Sequence, residues 1–263
     1  MFLSSLFSRR TPPAQREAAH PDVPHMQGAE IAAAYYGQRM GGDFYDFLRV
    51  SPNRVLFGLL DVAGRLEDNR EIVSAVQTEF RSLGAELFSK EDMNEADALS
   101  RLCLELNRTL MKAAGGVRSC PAFAGCYNED LGVLCYFNSG HTPGLVRDSR
   151  GVVELPATGL PLGLFTHAAC DTPMIALEPG AALMLVSRGV VEGRCKGENA
   201  AGEEFGLNRA KKCLGDMNTT NAREMALSIL TQMQQFICTP PTHNDVTALV
   251  LLRDAANSHS SPS

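Results

Sequence analysis

The sequence predicts an α+β fold in which two antiparallel sheets stack face to face between flanking helices, an αββα sandwich. Three observations predict it: short apolar strands fall into two groups, two long helical stripes separate those groups, and a further helix precedes a last strand. With 263 residues, 44% of them hydrophobic, the chain is long enough to bury a full core.

The first strands read 31–36, 43–50 and 55–62. Ser51-Pro52-Asn53-Arg54 joins the last two through residues suited to a tight turn, and the three together read as a β-meander. From 68 to 88 the apolar residues Ile72, Val73, Val76, Phe80, Leu83 and Leu87 recur at three and four, the stripe of a helix facing a core. A second helix spans 94–114, opened around Asn94-Glu95 and closed by Gly115-Gly116. Strands then follow at 122–127, 132–138, 144–147, 152–155, 172–177 and 182–187. A helix at 222–236 leads to the terminal strand 246–252, and Met184 and Phe205 read as core. No linker interrupts the interior, so residues 25–254 read as one domain. Residues 1–24, with Pro12, Pro13, Pro21 and Pro24, read as a flexible lead-in or, alternatively, a docking tail. Residues 255–263 read as a disordered polar tail.

Composition excludes several function classes. The formal net charge of −6 and the lack of a Lys/Arg stripe argue against a nucleic-acid surface. No apolar run approaches the ~20 residues that a membrane helix requires. Eight cysteines form no Cys-x-x-Cys pair, and no His is spaced to complete a zinc site. They read as thiols in a reducing compartment, which makes the expected location cytoplasmic.

Several blocks carry a family resemblance in their order along the chain. They are Met40-Gly41-Gly42-Asp43-Phe44-Tyr45-Asp46, Leu60-Asp61-Val62-Ala63-Gly64-Arg65-Leu66, Asn138-Ser139-Gly140-His141, Leu160-Pro161-Leu162-Gly163, Ser187-Arg188-Gly189 and Asn244-Asp245-Val246-Thr247. Over roughly residues 28–253 the chain resembles the PPM-type metal-dependent serine/threonine protein phosphatases, specifically their SpoIIE-like bacterial branch. The resemblance also implies the αββα sandwich. It further implies a two-metal centre, with Mn or Mg held by carboxylates at strand ends and activating a water for attack on a phosphoserine or phosphothreonine.

Carried over residue by residue, that centre is degenerate. Asp43 and Asp61 match two metal-binding aspartates, whereas Arg188 replaces the Asp of Thr-Asp-Gly and Asn244 replaces the first Asp of Asp-Asp-x-Thr. A guanidinium at a ligand position removes an oxygen and adds a competing charge. The family's Gly-His-Gly reads Gly64-Arg65-Leu66, so Arg65 and Arg188 are candidate partners for phosphate or for the remaining carboxylates. If both point inward, they balance Asp43 and Asp61 without metal.

Plainer readings stand beside these. Asp43 and Asp46 suit a turn, Arg188 can pair with Glu192, and His141 suits a structural role closing its turn. Asp245 is a candidate for a shifted ligand, but neighbouring side chains on a strand point to opposite faces, so it is expected to turn away.

The implied function is therefore a SpoIIE-like phosphatase domain, inactive or weakly active, that serves as a regulatory binding module in bacterial signalling. No cofactor is expected unless a residual Mn or Mg site persists. The implied partner is a phosphorylated or regulatory protein of a partner-switching system. Two alternatives remain: an active Mn/Mg-dependent phosphatase acting on a regulator such as an anti-sigma-factor antagonist, and an inert scaffold.

Overall fold

The computed structural model describes residues 22–36, 42–64, 66–90, 92–195, 202–237 and 245–255. Met40, Gly41, Arg65, Cys238, Asn244 and most of the expected lead-in and tail lie outside the described residues. In chain order the elements are β1 (Ala29–Tyr36), β2 (Asp43–Ser51), β3 (Arg54–Asp61), α1 (Leu66–Phe88), α2 (Glu95–Ala114), β4 (Ala122–Asn128), β5 (Val133–Ser139) and β6 (Gly144–Asp148). They continue as β7 (Gly151–Leu155), β8 (Met174–Ala176), β9 (Ala182–Val186), α3 (Arg188–Val191), α4 (Gly206–Asp216), α5 (Ala222–Phe236) and β10 (Val246–Arg253).

Two five-stranded antiparallel sheets form the centre, one ordered β1-β10-β9-β6-β7 and the other β2-β3-β4-β5-β8. Three apolar layers follow from the alternation of side chains along each strand. Even positions such as Leu56 and Leu60 of β3 pack under α1 and α2. Val246, Ala248 and Val250 of β10 pack under α5. Odd positions, Phe47, Leu59, Leu183, Leu185, Leu249 and Leu251, meet between the sheets.

The expected β-meander is corrected. β1 pairs along its length with β10, Ala29 opposite Arg253 and Tyr36 opposite Val246, while β2 and β3 pair in the other sheet. The small side chains of Ala32 and Ala34 let α5 pack closely over β1, and the chain changes sheet between Tyr36 and Asp43. Two helices escaped the sequence reading, α3 because it is four residues long and α4 because it carries few apolar residues.

The helix ends obey local chemistry. Asn94 Oδ1 accepts from the N–H groups of Ala96 and Asp97 at the start of α2, and Gly115 ends that helix with φ +64. Asn221 caps α5 through the N–H of Glu224. Among the described residues, no helix is long and apolar enough to cross a membrane.

Candidate functional site

The two Gly-Gly-Asp and Asp-Val-Ala-Gly blocks meet because β2 begins where β3 ends. Asp43 and Asp61 are opposite partners in that ladder. Gly42 is required here, since a Cβ would lie 1.8 Å from the carbonyl oxygen of Val62, whose N–H donates to Gly42 O at 3.1 Å. The turn after Asp61 is held from below: Asn69 donates to Val62 O and Ala63 O at 3.0 and 3.2 Å, and Arg118 Nη1 donates to Ala63 O at 3.0 Å.

β10 brings in a third carboxylate. The backbone N–H of Asp43 donates to Asp245 Oδ2 at 3.2 Å, and Thr247 Oγ1 donates to Asp43 Oδ2 at 2.9 Å. The expectation that Asp245 turns away is thereby overturned. In β10 the odd positions face the layer between the sheets, as Leu249 and Leu251 do, and Asp245 and Thr247 continue that series. Ser187, at the end of β9, closes the group: its hydroxyl donates to Asp245 O at 3.1 Å and accepts from the N–H of Thr247 at 3.0 Å.

Arg188 opens α3 and reaches two acids at once. Its Nη2 lies 3.7 Å from Asp61 Oδ2 and its Nε lies 3.8 Å from Glu192 Oε1, with 53% of the side chain exposed. It sits at the rim of the cleft. The sequence reading allowed either partner, and the structure shows it divided between both.

The electrostatics record an excess of negative charge. Burial first, then the charges of Asp61 and Asp245, push the Asp43 carboxyl well above its ordinary value, against hydrogen bonds from Ser187 and Thr247. Burial also raises Asp61. Arg188 opposes that rise, whereas Asp245 and Glu192 add to it. Beneath the pair, the Cys120 thiol is pushed up by burial and by the charge of Asp61. Among the described residues Arg188 lies beside Asp61 and Glu192, and the neutral balance drawn from the sequence also calls on Arg65, which lies outside the described residues.

Oxygen donors of this kind suit a hard divalent cation, and in this structure one oxygen of each carboxylate is already engaged. Asp43 Oδ2 is capped by Thr247, Asp245 Oδ2 by the Asp43 amide, and Asp61 Oδ2 faces a guanidinium. Among the described residues, no group of three His, Cys, Asp or Glu side chains is placed to hold a metal ion.

The other singled-out residues serve the frame. Asp46 is fully buried and accepts from Arg81 Nε and Nη2 at 2.6 and 2.8 Å, from Gln77 at 3.2 Å and from the Phe47 N–H at 2.9 Å. The His141 N–H donates to Asn138 Oδ1 at 2.8 Å, and its Nδ1 lies 3.1 Å from Thr142 O. Burial lowers the His141 ring to about 4, so at neutral pH it is uncharged and suits a structural role. Ser187, Glu192 and Thr247 were not singled out from the sequence as site residues, although strand alternation marks Ser187 and Thr247 as interior.

The family model described as Stage II sporulation protein E (SpoIIE) matches residues 51–254. No curated relative matches by sequence. Among solved structures, the SiaA-PP2C domain of Pseudomonas aeruginosa aligns with a TM-score of 0.69 at 16% identity, over 85% of this chain and 86% of that one. The RsbU and RsbW domains of a Mycobacterium tuberculosis protein align with a TM-score of 0.68 at 20% identity, over 93% of this chain and 65% of that one. The PP2C phosphatase domain of SpoIIE from Bacillus subtilis, with a fragment of its regulatory domain, gives 0.63 at 17% identity, over 89% and 63%. At these identities the structures speak for the fold alone, and the chain spans about two thirds of the two larger neighbours.

Proposed function

Because this chain belongs to the SpoIIE family, within the bacterial PPM (PP2C)-type phosphatases, we propose that its domain is a regulatory binding module with little or no phosphatase chemistry of its own. The observation that carries the reading is Arg188 at the end of β9, 3.7 Å from Asp61 Oδ2, where the family resemblance expects a metal-binding aspartate. A fixed positive charge there weakens the affinity of the remaining carboxylates for a divalent ion and removes one oxygen from its coordination. Without the ion, neither nucleophile activation nor charge stabilisation of the transferring phosphoryl group is supplied.

The partner in this reading is a phosphorylated or regulatory protein of a cytoplasmic bacterial signalling system. The test is titration calorimetry with manganese on the purified chain, paired with hydrolysis of a phosphoserine protein. The expected result is no manganese binding and turnover below about one thousandth of that of an active relative. Robust manganese-dependent turnover, abolished by Asp61→Ala, would overturn it. One observation favours a second reading, a weakly active Mn- or Mg-dependent phosphatase: Asp43, Asp61 and Asp245 converge, and two of them are held above their ordinary proton affinity, as an under-neutralised cluster would be.

A further inference from the structure

One face of α2 runs along the segment 159–172, and hydrogen bonds place the two against each other at both ends. At one end, Thr172 Oγ1 donates to Ala96 O at 3.2 Å and lies 3.4 Å from Ser100 Oγ. At the other, Asn107 accepts from the Gly163 N–H at 2.7 Å and donates to Phe165 O at 3.0 Å. Positions 96, 100, 103 and 107 follow each other at four, three and four, so they form one helical face. Cys103 lies on that face between Ser100 and Asn107, Cys170 lies on the segment between Phe165 and Thr172, and the two thiols share a hydrogen bond.

Cys170 packs against the same apolar cluster that contains Cys103. Its backbone is held by a bridge to Gly159, where a Cβ would lie 2.7 Å from Ala169 O and 3.1 Å from Cys170 Cβ, so a glycine is needed for the close approach. The Cys103 sulfur also lies 3.6 Å from Ser139 Oγ, at the end of β5. Cys103 is buried, whereas Cys170 is half-buried among the exposed residues 165–167 and 169.

We propose that Cys103 and Cys170 form a peroxide-oxidisable dithiol, a redox modification site that ties α2 to the 159–172 segment. The step is balanced with a hydroperoxide as oxidant. The Cys170 sulfur, being the accessible one, attacks the peroxide. Its S–O bond forms as the O–O bond breaks, and one molecule of water or alcohol leaves. The Cys103 sulfur then attacks the Cys170 sulfenic acid. The S–S bond forms, the S–O bond breaks, and the departing hydroxide leaves as water with the Cys103 proton.

The electrostatics suit those roles. The two thiols share one hydrogen bond, which holds Cys103 below its ordinary value with Ser139 assisting and pushes Cys170 up, so Cys103 is the base that takes the Cys170 proton as the Cys170 sulfur attacks the peroxide. The segment continues into the site, since the Arg118 N–H donates to Gly163 O at 3.1 Å while its guanidinium holds the turn after Asp61. The disulfide would therefore stiffen a strut beneath the carboxylate cleft.

The experiment treats the full reduced chain with hydrogen peroxide and maps its thiols by non-reducing peptide mass spectrometry. The expected result is a Cys103–Cys170 cross-linked peptide, with two of the eight cysteines consumed. Amide exchange across 159–172 should slow and should recover on adding dithiothreitol. Cys170→Ser, a change at the half-buried partner that leaves the core intact, should abolish the cross-link while melting close to the parent. If peroxide consumes other cysteines and no Cys103–Cys170 peptide forms, or if the cross-link forms without changing exchange across the segment, the proposal fails.

Discussion

The backbone N–H of Asp43 donates to Asp245 Oδ2 at 3.2 Å, joining the first residue of β2 to the entry of β10 in the opposite sheet. This contact closes one end of the sandwich and gathers carboxylates from chain segments some 200 residues apart.

The cluster makes stability fall as pH rises. Asp43 and Asp61 bind protons more tightly in the folded state than at their ordinary value of 3.8. Their contribution is therefore fully present below that value and is lost as pH rises through the raised folded values. Asp43→Asn keeps the acceptor for Thr247 and removes the charge. In a series of urea denaturation curves, this variant should be more stable than the parent at neutral pH and equal to or weaker than it in acid. A variant that is weaker at neutral pH would show that Asp43 is neutralised by something other than protons.

Arg188→Ala should change stability by less than about 1 kcal/mol, because a half-exposed guanidinium 3.7 Å from one acid and 3.8 Å from another is largely screened by water. A buried counter-ion would cost several times more on removal, on the order of 3 kcal/mol. Chemical denaturation of the single variant separates the two cases.

Thermal melting of the parent should not respond to a chelator. The paired change Arg188→Asp with Asn244→Asp restores the family's carboxylate set and should make melting rise with manganese, since an ion that binds only the folded state stabilises it by mass action. Calorimetry of the paired variant reads the same gain directly. If neither signal appears, Arg188 and Asn244 do not stand at metal-ligand positions.

Asn107→Ala should destabilise the domain by about 2 kcal/mol, because it strands the buried Gly163 N–H and frees Phe165 O. Gly163 itself has no room for a side chain, as a Cβ would lie 2.0 Å from Arg118 O. Amide exchange should accelerate across 159–172 before it does so elsewhere. Uniform acceleration would mean that the segment is held by packing rather than by this one side chain.

By itself the sequence determined the layered αββα architecture, because the period of its apolar residues switches between two and 3.6 and each period buries one face. Its ordered blocks also brought forward Asp43, Asp61 and Arg188, and the structure sets Asp61 opposite Asp43 and 3.7 Å from Arg188. The sequence could not place β1, since pairing with β10 joins Ala29 to Arg253 and no local pattern selects a partner so far along the chain. Only the tertiary structure decided the membership of Asp245, Ser187 and Thr247. Each occupies an odd position in or beside its own strand, like Leu249 and Leu185, but alternation says only that a side chain is interior. Which interior groups meet depends on the register between two sheets, and that is set by packing across the whole domain.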